Sequence, residues 1–176
     1  MKITLKDGSS KEYEGAMSVL DIAKDISEGL ARVACAGEVD GKVVDLRTMV
    51  DKDCNLSILT FDDENGKKAF RHTAAHILAQ AVKRLYPDAK CTIGPAIDDG
   101  FYYDFDMPSL TREDLDNIEA EMKKICKERI RLERSEKSRE EALCWAEANN
   151  EPYKKELIED LPADATISFY TQGEFT

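Results

Sequence analysis

Ala69-Phe70-Arg71-His72-Thr73-Ala74-Ala75-His76-Ile77-Leu78-Ala79-Gln80-Ala81-Val82-Lys83-Arg84-Leu85-Tyr86 contains the two histidines of the chain and reads as one helix, ended by Pro87. Its apolar stripe is Ala74, Ile77, Leu78, Ala81 and Leu85. At about 100° of turn per residue, that stripe centres roughly 200° from His72, while His76 lies about 40° away and Ala79 and Lys83 within about 20°. Both histidines therefore share one face, turned from the packed one and lined with small residues that leave room for an approaching group. The helix also divides the chain. The residues before it are patterned mainly as strands around one short helix, and those after it mix helices with strands, so the fold class is α+β.

Residues 1–61 read as a unit of their own. Ile3 and Leu5 alternate with polar neighbours, and Asp7-Gly8 turns the chain into a strand at 11–14. Ser18-Val19-Leu20-Asp21 resembles a capping box opening a short helix that stops at Gly29. Strands follow at 33–39, 42–45 (after the Asp40-Gly41 turn) and 55–60. The order ββαβββ suits a small β-grasp, ubiquitin-like sheet with one helix across it. Nothing in this unit carries chemistry, so it is expected to bind or orient.

The polar stretch 62–68 reads as a linker. The second unit, 69–176, opens with the histidine helix and continues as α+β, a helix packed on an antiparallel sheet. Gly100 leads into Phe101-Tyr102-Tyr103-Asp104-Phe105-Asp106, a strand with Phe101, Tyr103 and Phe105 on one face. Thr111 caps a helix with core positions Leu115, Ile118, Met122 and Ile125. A strand at 130–136, a capping box at Ser138-Arg139-Glu140-Glu141, a short helix from Pro152 and a strand at 166–171 complete it. The end at Gly173-Glu174-Phe175-Thr176 looks cut from a longer protein.

The 176 residues suffice for one large or two small domains, and the formal charge of −11 argues against non-specific nucleic-acid binding. No apolar run approaches the roughly 20 residues that cross a bilayer, and the N-terminus is not a signal peptide. Five scattered cysteines without a C-x-x-C pair suggest reduced thiols and read as small buried hydrophobes. The one locally basic region, 123–139, offers Lys123, Lys127, Arg131 and Arg134 to a phosphate backbone, or forms a mixed-charge solvated face.

His72 and His76 admit three readings. H-x-x-x-H is zinc spacing, but two ligands make no site, so no metal is expected. As imidazoles near neutral pH they suit acid–base work on an ester. As a solvated helix face they do nothing. Tyr103 and Asp104 follow a tight turn and either line a pocket or pack a core. Lys154 is by default a surface lysine.

Arg71-His72-Thr73-Ala74-Ala75-His76-Ile77-Leu78-Ala79, followed by Ile93-Gly94-Pro95 and Gly100-Phe101-Tyr102-Tyr103-Asp104, closely resembles the editing domain of bacterial-type threonyl-tRNA synthetases. Residues 1–61, with Ile3-Thr4-Leu5 before Asp7-Gly8 and Leu56-Ser57-Ile58-Leu59-Thr60, look like the TGS domain of the same family. The resemblance implies a proofreading arm that hydrolyses serine mistakenly esterified to threonine tRNA. By that likeness His72, His76 and Lys154 are catalytic, while Tyr103, Asp104 and Ala79 line the substrate pocket. The remaining editing cluster, D-x-C-x-x-x-H, is expected just after Thr176. The resemblance also implies a cytoplasmic homodimer, paired through a class II catalytic domain that uses ATP, magnesium and zinc; none of these cofactors is expected in the present residues. The threonine tRNA acceptor end and the rest of the synthetase would be the partners, with no membrane. Two alternatives stay open: a TGS plus editing-like interaction module of another enzyme, such as a nucleotide kinase, and a zinc hydrolase.

Overall fold

Ile3 points inward from β1 (Lys2–Leu5), which turns at Gly8 (φ +83°) and returns as β2 (Ser10–Glu12). The computed structural model describes residues 1–176, which divide into two units, Met1–Thr73 and Ala74–Thr176. In the first, β3 (Met17–Ser18) leads into α1 (Val19–Ile26), whose N-cap Ser18 accepts the Asp21 N–H. The helix does not stop at Gly29. It ends at Ser27, whose hydroxyl accepts the N–H groups of Gly29 and Leu30 and starts α2 (Glu28–Val33). A serine cap outweighs one glycine's helix penalty here.

β4 (Ala34–Val39) and β5 (Lys42–Val44) form a hairpin through Asp40 and Gly41, both at positive φ as a tight primed turn requires. β6 (Met49–Val50) pairs with β3, and β7 (Cys54–Thr60) runs through the middle of a sheet ordered β2-β1-β7-β4-β5. β1 and β7 are parallel and the other neighbours antiparallel. Ile3, Val19, Ile22, Val50, Cys54 and Leu56 form the core between α1 and the sheet. The expected β-grasp arrangement is present.

The histidine helix, α3 (Glu64–Leu85), begins five residues before Ala69, inside the polar stretch. Its first turn is Glu- and Lys-rich, with Glu64 paired to Lys67 at 2.9 Å. Such residues are good helix formers, so their polarity marked exposure rather than coil.

In the second unit the aromatic strand is broken. β10 (Gly100–Phe101) pairs with β9 (Ala96–Ile97), and β11 (Phe105–Asp106) with β8 (Lys90–Cys91). The expected alternation survives: Phe101, Tyr103 and Phe105 are half-buried, Tyr102, Asp104 and Asp106 exposed. α4 (Arg112–Glu128) carries the capping box of Thr111 with Asp114, and α5 (Arg139–Ala148) that of Ser138 with Glu141. β12 (Leu132–Lys137) pairs antiparallel with β13 (Ile167–Gln172), and α6 (Pro152–Asp160) lies between them in sequence.

Three small cores hold this unit. Ala81 and Val82 of α3 meet Ile118 and Ile125 of α4. Ala142 and Ala146 of α5 meet Ile158, Ile167 and Phe169. Ala79 meets Cys91 and Phe175, with Tyr103 and Phe105 against them, which sets α3 on the β8–β11 pair. Leu85 and Leu115, expected in the core, are 39% and 50% exposed: Leu85 is the last residue of α3 and Leu115 lies in the first turn of α4, where a helix end is covered on fewer sides. No helix is long and apolar enough to cross a membrane. The cysteines form no disulfide; Cys54 and Cys91 are buried as expected, whereas Cys126 and Cys144 are exposed.

Candidate active site

The histidine side of α3 is not open. Ala75 and Ala79 are 2% and 1% exposed, and Phe175 packs with Ala79 and Cys91. Helical spacing gives the direction of a side chain but not what a distant segment lays over it. His76 is half-buried, its ring edge-on to Phe175 with centroids 4.8 Å apart, and its Nε2 is a buried atom. His72, one turn earlier, is exposed. The pair is thus split between a packed and a solvated environment.

Tyr103 reaches the same cluster from the segment between β10 and β11. Its ring stacks on Phe105 at 4.5 Å. Gly94 supplies its seat: a Cβ there would stand 2.2 Å from the tyrosine Cδ2, so no side chain fits. Burial pushes the phenol well above its usual range, and the neighbouring Cys91 adds to the shift. The Cys91 thiol is itself pushed up by burial, with the Lys154 charge pulling the other way. Asp104 leaves the cluster. Its backbone ladders with Thr92 and Ile93, and its side chain is on the exposed face.

Lys154, on the first turn of α6, is no surface lysine. Its ammonium donates to the Thr176 carbonyl at 2.7 Å and lies 5.1 Å over the Trp145 ring and 5.3 Å over that of Phe175. Burial lowers its pKa, while Glu151 and Cys91 oppose the shift. Glu151, just before α6, is 5% exposed and pairs with Lys83 of α3 at 3.5 Å. Its N–H donates to Ala146 of α5, so it ties three helices together. Lys83 also donates to the carbonyls of Pro87 and Ala89.

Gln80, Lys83, Arg84, Pro87, Glu174 and Phe175 line an adjoining cleft of about 240 Å³. Arg84 grips Glu174 at 2.5 Å, Glu128 at 2.8 and 2.9 Å, and Glu121 at 3.1 Å. Chiefly through that contact, the Glu174 carboxyl is pulled down to about 2. The structure therefore brings together His76, Tyr103, Lys154 and Ala79, and leaves Asp104 outside the cluster. The sequence reading missed Glu151, Trp145 and Phe175. Pro152 at the helix start marked the residue before it as a cap, but nothing announced that Glu151 is buried.

Of the basic candidates, Lys123 pairs with Glu119 and Arg134 with Glu136, whereas Lys127 and Arg131 are exposed without a carboxylate partner. No three His, Cys, Asp or Glu side chains gather in metal-ligating geometry.

The β-grasp unit has a counterpart among known families: residues 1–60 match the TGS domain. Over 99% of its length the chain is 61% identical to a threonine–tRNA ligase of Acetivibrio thermocellus. It is 58% identical to threonine–tRNA ligases of Clostridioides difficile, over 100% of the chain, and Clostridium acetobutylicum, over 99%. The chain is thus similar over nearly its whole length to threonine–tRNA ligases, and it spans 28% of the length of each of these curated relatives.

Proposed function

We propose that the chain forms the N-terminal part of a cytoplasmic bacterial threonine–tRNA ligase and that its second unit hydrolyses serine wrongly esterified to threonine tRNA. The observation that carries this reading is the convergence of His76, Tyr103 and Lys154, from three separate segments, about Phe175 and Cys91. The reaction adds a water oxygen to the ester carbonyl carbon and breaks the bond to the ribose oxygen. That oxygen takes a proton, and free serine leaves. His76 is assigned the proton transfer, with His72 assigned the partner role from the preceding turn. Lys154 supplies a positive charge for the oxygen that becomes negative in the tetrahedral intermediate. Tyr103 and Ala79 are assigned to the serine side of the site, and Asp104, on the strand's exposed face, to its margin.

A second pocket answers a physical need. One methyl gives only about 10–200-fold discrimination, so a first binding step alone passes serine. Lys123, Lys127, Arg131 and Arg134 are assigned to the phosphates near the tRNA acceptor end. No cofactor is assigned to these residues. ATP, magnesium and zinc belong to the ligase's catalytic domain, through which the homodimer also forms. Ligase relatives that match 99% or more of the chain favour this reading over an interaction module fused to a nucleotide kinase. A longer chain that includes the residues following Thr176 in the ligase tests it. It should deacylate seryl-tRNA for threonine and spare threonyl-tRNA, and His76→Ala should slow it by about 10²-fold, the scale of a lost acid–base group. Equal hydrolysis of both esters, or full activity without His76, overturns it.

A further inference from the structure

We propose that Trp145 and Phe175 form an aromatic clamp that holds Lys154 as an ammonium ion and fixes it relative to His76, which makes both rings positioning residues; their role in hydrolysis rests on the editing reading above. A charge taken out of water needs compensation. The buried carboxylate just before α6, Glu151, is paired to Lys83. Of the three Lys154 donors, one is used on the Thr176 carbonyl. Beside the charges of Glu151 and Cys91, further compensation comes from the rings at 5.1 and 5.3 Å, both inside the roughly 6 Å reach of a cation–π contact.

That arrangement has a chemical consequence. Ring faces attract the cation and not the neutral amine, so the clamp opposes the effect of burial and keeps the charged form. They also consume no N–H donor, which leaves donors for a substrate oxygen. Lys154 is thereby suited to stabilise developing negative charge and unsuited to act as a base. Phe175 does a second task, because its ring also meets His76 at 4.8 Å. One side chain therefore sets the separation of the two reacting groups. Trp145 is braced in turn, edge-on against Phe169 at 5.0 Å in the core of α5, α6 and β13. The other charged or titratable groups facing Lys154 are Glu151 at the N-cap of α6, Cys91 on β8 and Lys83 on α3. They remain in place in every variant below.

The unmutated 1–176 chain gives the first test. The methylene protons next to the Lys154 nitrogen should resonate well upfield of those of exposed Lys123, shifted by two ring currents. Equal shifts overturn the clamp without any mutation. In the second test, Trp145→Leu and Phe175→Leu should each speed labelling of Lys154 by an amine-reactive ester at pH 8 by about tenfold, the scale of one desolvated cation–π contact. Trp145→Phe and Phe175→Tyr, which keep a ring face, should label like the parent. Unchanged labelling in the leucine variants, or the same rise in the aromatic ones, overturns the proposal. In the whole ligase, Phe175→Leu should lower kcat for seryl-tRNA deacylation and leave KM alone; an unchanged kcat overturns the positioning role. A parent ligase that does not hydrolyse seryl-tRNA, with Lys154 still shifted and protected, would instead sink the editing reading and leave the clamp standing.

Discussion

The two units solve the burial problem differently. The first closes a five-stranded sheet over aliphatic side chains, and no polar side chain in it is fully buried. The second has only two-stranded ladders, and its cores include four alanines on α3 and α5 beside buried Gln80, Glu151 and Gln172. One oxygen on each of those three side chains lacks a hydrogen-bond partner. A unit kept for stability alone has no reason to carry such groups, since each costs free energy when left unsatisfied. The first unit is built on an aliphatic core, and the second retains polarity where chemistry is proposed.

The largest effect should come from breaking the aliphatic core. Leu56 on β7 is 1% exposed, so Leu56→Ala should cost about 2–5 kcal/mol of unfolding free energy, read by denaturant titration of the first unit. Glu151→Gln should cost less, about 1–2 kcal/mol, although it removes one member of a buried ion pair. Lys83 keeps two carbonyl acceptors and the Glu151 Oε2 has none of its hydrogen bonds to lose. If Glu151→Gln proved as damaging as Leu56→Ala, the second unit would be relying on its buried charge for stability, and the contrast between the units would fail.

Local signals were legible in the chain; long-range ones were not. Thr111, Ser138 and Ser18 announced helix starts, since a cap needs only residues three positions apart. The alternation through Tyr103 gave its buried face even though the strand itself is broken. Gly29 misled because a nearby Ser27 could restart the helix. Lys154 looked like a surface residue because its burial depends on Trp145, nine residues before it, and on Phe175, laid over α3 by the end of β13. Phe175 had no periodicity around it to mark it as a hub. The proposed site was therefore readable as a set of residue types, and its closure was not.

The next effect is a pH dependence that Glu174 contributes in the second unit. Glu174 is held at about 2 by Arg84, below the usual glutamate value near 4.5. A carboxyl with a depressed folded-state pKa contributes stability that is fully present above its unfolded value and lost as pH falls through the folded one. The melting temperature of the second unit should thus decline between about pH 5 and 2, and Glu174→Gln should flatten part of that decline. The side chain is 57% exposed, so solvent screening keeps the effect modest. The first unit offers a control, because Leu56→Ala should shift stability there by a similar amount at every pH. An unchanged acid limb in Glu174→Gln would mean that Arg84 is satisfied by Glu121 and Glu128 alone.

The smallest effect separates charges that are available from charges already used. Lys123 and Arg134 sit against Glu119 and Glu136, and exposed pairs of this kind contribute about 0–1 kcal/mol to stability. Such a cation must give up its carboxylate before it can neutralise a phosphate. Lys127 and Arg131 face water without that competition. If this strip follows the tRNA backbone, Lys127→Ala and Arg131→Ala should each reduce the slope of log affinity against log salt by about 1. Lys123→Ala and Arg134→Ala should change it by clearly less, and none of the four should alter the melting temperature by more than a degree or so, as expected for surface substitutions within about 0.5 kcal/mol. Salt titration of threonine tRNA binding to the whole ligase measures the slopes. Equal losses at all four positions would show that the carboxylates release their partners at no cost. No change at Lys127 and Arg131 would remove the strip from the tRNA path and leave it a solvated face.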